Sequence, residues 1–183
     1  DVQVLHAADR APVAAERGTL IHLLLQFLPD HPRGDWTDTA AQILGNAVSH
    51  IHATSARDIT DTAIQILDHH PDLLRRDWLR EVTVAGKSED IHLSGTIDLL
   101  DVRDHRVTVI DIKSNATVPS SPETVPDGIL RQMGAYLLAV EAIYPGFEVI
   151  LEILWTIDLS RMVLPHVIVR DAIGAAPHLD LMG

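Results

Sequence analysis

A chain of 183 residues, 46% apolar and 22% charged, has room for one domain with a real core and is neither disordered nor membrane-embedded in composition. The absence of cysteine excludes disulfides, thiolate zinc sites and iron–sulfur clusters. A formal charge of −12 with only two lysines, Lys87 and Lys113, excludes the basic footprint of an autonomous nucleic-acid binder, so a DNA partner would require a divalent metal or another part of a larger assembly to offset the repulsion.

Asp1–Arg10 carry no clear pattern, as expected of a piece cut from a longer chain. No basic-then-apolar leader opens the sequence, and the longest apolar runs, such as Thr19–Leu28, fall short of the roughly 18 residues a spanning helix needs. A cytoplasmic location without membrane contact is the expectation. Leu20, Ile21, Leu24 and Leu28 recur at helical spacing and predict a helix over 18–28, stopped by Pro29, with His22 off the centre of the apolar stripe. A second helix is predicted over 35–52, burying Trp36, Ala40, Ile43, Leu44, Ala47 and Ile51, and a third over 58–69, closed by Pro71.

The period then changes. Glu81–Ala85, Ile91–Val102 and Arg106–Ile112 are alternating or continuously apolar and rich in β-branched residues, which predicts three strands in a meander. Ser114–Gly128, rich in Ser, Pro and Asn, reads as a long loop, followed by a helix over 129–143 that ends at Pro145-Gly146. Val149–Ile157 and Met162–Val169 are the last two predicted strands. The fold class expected is α/β, a central mixed sheet with a three-strand meander flanked by helices.

Arg103-Asp104-His105-Arg106 is short enough to be a tight hairpin turn between the second and third strands, with Asp104-His105 as the expected central pair. Asp98 then falls opposite Asp111, where facing Cβ atoms are roughly 4.5–5.5 Å apart. Like charges so placed require a cation between them or a shared proton, and ligands that are all oxygen favour a hard ion, Mg²⁺ or Mn²⁺. Lys113, two residues beyond Asp111, projects on the same strand face. A bare pattern of this kind is equally compatible with strand-end carboxylates reaching solvent beside a salt-bridged lysine.

Gly95-Thr-Ile-Asp98 with Val109-Ile-Asp111-Ile-Lys113-Ser114 resembles the nuclease domains of the RecB and AddA helicase–nucleases in the PD-(D/E)XK superfamily. Arg17-Gly18-Thr19-Leu20-Ile21-His22 resembles that family's histidine motif, and Leu130-Arg-Gln132-Met-Gly-Ala-Tyr136 its QxxxY motif. Ile143-Tyr-Pro-Gly146 with Leu154-Trp-Thr156 is similar to the AddA branch. The resemblance runs in family order from Gly18 to Val169. It implies a restriction-endonuclease-like core forming a single nuclease domain over 1–183, the C-terminal part of a larger helicase–nuclease with an AddB-like partner subunit.

By the same resemblance, His22, Asp98, Asp111 and the carbonyl of Ile112 hold the metal and Lys113 is the catalytic lysine. Gln132 and Tyr136 face the substrate, a single strand of DNA delivered by the helicase, and Glu81 is a further acidic residue on the first strand. Leu99, where an arginine is frequent, and Ile112 and Ser114, in place of tyrosine and threonine, depart from the common pattern without touching the metal carboxylates. The activity implied is Mg²⁺-dependent deoxyribonuclease action, with Mn²⁺ able to substitute, in recombination and double-strand break repair. A nuclease-like scaffold that only guides the strand is the alternative. A stand-alone endonuclease fits poorly with the acidic charge.

Other residues carry less. His50-Ile-His52 and His69-His70 have the wrong spacing for a zinc site on one helical face. Trp36, Trp78 and Trp155 read as core or interface residues, and Arg75-Arg76 with Arg80 as either a phosphate contact or a solvated helix end.

Overall fold

The computed structural model describes residues 14–48, 52–88 and 91–174. The chain divides into two compact units, residues 1–76 and 77–183. The first is helical: α1 (Ala14–Phe27), α2 (Trp36–Ala47) and α3 (Ala53–His69). Its apolar positions recur every three to four residues, so Leu20, Ile21 and Leu24 of α1, Trp36, Ala40 and Leu44 of α2, and Ile59, Ala63, Ile66 and Leu67 of α3 are all buried. Arg17 of α1 bonds Asp58 and Thr62 of α3, and Arg33 bonds Asp68 while lying over the Trp36 ring.

The helix predicted over 35–52 ends at Ala47, with Val48 already extended (φ −134°, ψ 115°). Its buried face finishes at Leu44, and Ala47 is exposed. Predicted core residue Ile51 and His50 lie outside the described residues. α3 begins five residues before the predicted start, at Ala53, because the apolar stripe marks only the packed part of a helix and not its solvated first turn.

The second unit is a five-stranded mixed sheet in the order β1-β2-β3-β4-β5: β1 (Leu79–Ser88), β2 (Ile91–Arg103), β3 (Arg106–Lys113), β4 (Glu148–Trp155) and β5 (Arg161–Val163). β1, β2 and β3 form the antiparallel meander, β3 and β4 run parallel, and β5 returns antiparallel. Asp104 and His105 turn the β2–β3 hairpin with φ of 50° and 61°, the left-handed pair of a type I′ turn whose twist matches the strands. The parallel β3–β4 connection carries α4 (Asp127–Ile143), as a crossover must. Met133, Tyr136, Leu137 and Val140 of α4 join Val107 and Val109 of β3 and Leu151 and Ile153 of β4 in one core. The loop after β3 is tied down rather than open: Val125 is buried and Val118 packs on that core, and Ser121 and Thr124 cap a short 3₁₀ turn.

The predicted last strand is corrected most. Only Arg161–Val163 pair with β4, and His166–Gly174 form a helix, α5. Pro165 has no N–H to continue a ladder, and its fixed φ suits the entry to a helix. Tertiary packing then overrides the strand propensity of Val167-Ile168-Val169. Val169 is fully buried, and α5 lies so close to α4 that a Cβ on Gly134 would stand 2.6 Å from the Val169 carbonyl oxygen and 2.5 Å from Ile173 Cδ1.

The side chain of Ile173 can turn aside, but the Val169 carbonyl belongs to a helix and cannot move alone. Gly134→Ala is therefore expected to cost about 1–3 kcal/mol by overpacking, read as a lower urea midpoint at unchanged slope.

Candidate active site

The site stands where β2 and β3 part. Their ladder runs from Arg103↔Arg106 to Leu99↔Ile110 and stops there. β3 continues beside β4 through Asp111↔Ile153 and Ile112↔Leu154 to Lys113↔Trp155. Asp98 and Asp111 are therefore the first residues beyond the paired region, not ladder partners directly opposite one another as the hairpin register predicts. Parting the strands relieves the repulsion of two facing carboxylates and frees a main-chain donor: the Ile112 N–H bonds Asp98 Oδ2 at 2.6 Å. Asp98 is thus fastened to the peptide that joins Asp111 to Ile112.

Glu81 arrives from the other side. It falls between Arg80↔Leu99 and Val82↔Ile97 in the β1–β2 ladder and has a φ of 53°. This conformation is sterically costly for a residue with a Cβ and is met mostly where function or packing over-determines it. One oxygen of Glu81 and one of Asp98 lie within 4.8 Å of each other.

Asp111 is buried, at 2% exposure, with Lys113 Nζ 2.8 Å from its Oδ2. Alternation along β3 places both on the α4 face with Val107 and Val109, as predicted. From α4, Gln132 Oε1 accepts from Lys113 Nζ at 2.8 Å, Gln132 Nε2 donates to Tyr136 Oη at 2.8 Å, and Tyr136 Oη donates to the Thr96 carbonyl at 2.5 Å. The i, i+4 spacing of Gln132 and Tyr136 makes this chain possible. Gly95 leaves room for it, since a Cβ there would stand 2.9 Å from Tyr136 Cε1.

Burial, and after it the carboxylates of Asp111, Asp98 and Glu81, push the Tyr136 phenol well above the ordinary tyrosine range, with the Gln132 bond opposing them. Glu81 lies near Asp98, Asp98 is bonded next to Asp111, and Lys113 is the ammonium paired with Asp111. A group of carboxylate oxygens with such an excess of negative charge is the donor set a hard divalent cation takes.

The second unit thus gathers six sequence-predicted site residues, Glu81, Asp98, Asp111, Lys113, Gln132 and Tyr136, with Ile112 joined through its N–H. His22 sits on α1 of the first unit, half-buried. Two participants escaped sequence reading: the Thr96 carbonyl, which no side-chain pattern reports, and Gly95, whose place in the Gly95-Thr-Ile-Asp98 motif was visible but whose contact with a residue 41 positions later was not.

A model of the PD-(D/E)XK nuclease superfamily matches residues 2–168. Among solved structures, the chain is similar to a candidate exonuclease from Eubacterium rectale, at a TM-score of 0.59 and 9% identity over 86% of this chain and 62% of that one. It therefore spans about three fifths of that protein's length, and at this identity the likeness is one of fold. SSO0001 (TM-score 0.38, 16% identity, 82% of this chain and 72% of that one) and protein VC1899 from Vibrio cholerae (0.33, 13%, 88% and 50%) are more remote. A search of curated protein sequences finds no match.

A raised phenol pKa has a signed consequence for stability. The unfolded chain releases this proton near pH 10, whereas the folded chain holds it, so stability is full below that pH and falls as pH rises above it. Of the two tyrosines, Tyr136 is expected to be missing from the phenolate absorbance of the folded protein until unfolding releases it, and Tyr136→Phe should flatten the alkaline loss of stability.

Proposed function

Since the chain belongs to the PD-(D/E)XK nuclease superfamily, we propose that it is a divalent-metal-dependent deoxyribonuclease, the nuclease domain of a RecB/AddA-type helicase–nuclease acting as an exonuclease in double-strand break repair and recombination. The observation that carries the reading is the meeting of Glu81 and Asp98 carboxylate oxygens within 4.8 Å, with Asp98 bonded to the Ile112 N–H beside Asp111 and the Lys113 ammonium 2.8 Å from Asp111. A structural ion pair requires one carboxylate, whereas a cluster of three is a donor set suited to a cation. Mg²⁺ is the proposed ion, with Mn²⁺ able to substitute. The residues proposed to hold it are Asp98, Asp111 and the Ile112 carbonyl, with Glu81 as a further acidic ligand and His22 added on the strength of the histidine motif.

When bound, the ion supplies positive charge against the phosphate and lowers the pKa of water. The chain's own part is positional. Asp111 and Gln132 hold the Lys113 amine, which is set to orient the attacking water or to stabilise charge developing on phosphorus. The acidic composition, −12 overall, favours a substrate strand delivered by an attached helicase, with an AddB-like subunit as partner, over capture from solution. Among the described residues no helix is long and apolar enough to cross a membrane; the cytoplasm is the proposed location.

Calorimetric titration of Mn²⁺ or Mg²⁺, with cleavage of single-stranded DNA followed in the same samples, tests this. Metal binding and cleavage should vanish together in Asp111→Ala. Lys113→Ala should keep the metal and lose about 100-fold or more in cleavage, the scale of one charge-stabilising group. Wild-type protein that neither binds metal nor cuts would instead make the domain a strand-guiding scaffold.

A further inference from the structure

Tyr136 is buried to 3% exposure, and its hydroxyl is bonded on both sides, so it is poorly placed to meet a DNA strand. What it does to its neighbours is more informative. The Thr96 carbonyl oxygen can only accept, so the Tyr136 proton must lie on that bond. With its proton committed, the phenol oxygen can only accept from α4, and the Gln132 atom facing it must be the NH₂. The Gln132 carbonyl oxygen is then turned to Lys113, which it meets at 2.8 Å. An amide in the opposite orientation would set its NH₂ against an ammonium and its carbonyl oxygen against a hydroxyl whose proton is already committed. The direction of every bond from Thr96 to Lys113 follows from one main-chain carbonyl.

An ammonium has three protons in tetrahedral array about the Cε–Nζ bond. Gln132 Oε1 takes one at 2.8 Å, while the Asp111 carboxylate holds Nζ at 2.8 Å as an ion pair without a hydrogen bond to Oδ2, so the Gln132 bond is what gives the ammonium a direction. Among the described residues no further acceptor is bonded to Lys113, and its side chain keeps 20% exposure. We propose that Tyr136 is a positioning residue that acts through Gln132: it locks the orientation of the Gln132 amide and, through the Gln132–Lys113 bond, aims a Lys113 N–H at the reacting phosphate or its attacking water. The proposal rests on the nuclease reading for what that N–H meets, but not for the network that aims it. It assigns the QxxxY spacing a role distinct from direct substrate contact.

The test measures kcat and KM for metal-dependent cleavage of single-stranded DNA by wild type, Tyr136→Phe, Gln132→Ala and the double variant. The ¹⁵N-edited side-chain ammonium signal of Lys113 is recorded on the same proteins in a Lys87→Arg background, which leaves Lys113 as the chain's one lysine. Each single variant should lose about tenfold in kcat, the scale of one hydrogen bond to a charged group, with KM unchanged. The double variant should be no worse than Gln132→Ala, and the Lys113 signal should shift or broaden alike in all three.

A raised KM in Tyr136→Phe, additive losses in the double variant, or a Lys113 signal untouched by Tyr136→Phe but altered by Gln132→Ala would overturn the proposal. Should Tyr136→Phe fail to fold, Gly95→Ala, which displaces the ring through its 2.9 Å contact, replaces it with the same expected results. If wild type does not cleave at all, the nuclease reading fails by itself, and the Lys113 signal still decides whether Tyr136 acts through Gln132.

Discussion

Carboxylates held against one another at the parted ends of β2 and β3 are the constraint around which the second unit is arranged. Asp111 is almost wholly buried, and a buried carboxylate is expensive unless it is paired and hydrogen-bonded. Lys113 meets part of that demand from two residues along the same strand, and the Ile112 N–H between them is given to Asp98. The ladder must end at Leu99↔Ile110 for this, because an N–H that paired across to β2 could not serve a side chain. β3 nevertheless stays ordered, since β4 continues to pair with it through Trp155.

The helix above the site completes it by direction rather than by charge. Gln132 and Tyr136 are neutral, and they carry the acceptor character of one main-chain carbonyl across from β2 to an ammonium on β3. Tyr136 can do so only while it keeps its proton, and its burial, aided by the nearby carboxylates, favours that. Gly95 on β2 and Gly134 on α4 serve the arrangement by lacking a Cβ, the first under the tyrosine ring and the second under α5.

Glu81 shows the cost of the construction. A non-glycine residue at a φ of 53° within a strand departs from the extended conformation that the ladder residues on either side maintain. Its carboxylate ends within 4.8 Å of another. Backbone strain of this kind gathers at positions set by function rather than by folding.

Much of this was legible in the sequence, because some signals are local. Strand alternation placed Asp111 and Lys113 on one face, a two-residue turn at Asp104-His105 set the register of the hairpin, and the i, i+4 spacing put Gln132 and Tyr136 one turn apart. The meander and the helix before β4 followed from the period of apolar residues. Tertiary structure decided what depends on several elements at once. The register of the turn carries no information on where a ladder stops, so the parting at Asp98 appears only when β4 and α4 are in place. Local propensity made Val167-Ile168-Val169 a strand, and packing against Gly134 made it a helix. The direction of the hydrogen bonds from Thr96 to Lys113 had no sequence signal at all, because it originates in a main-chain carbonyl, a group that every residue has and that only the fold can aim.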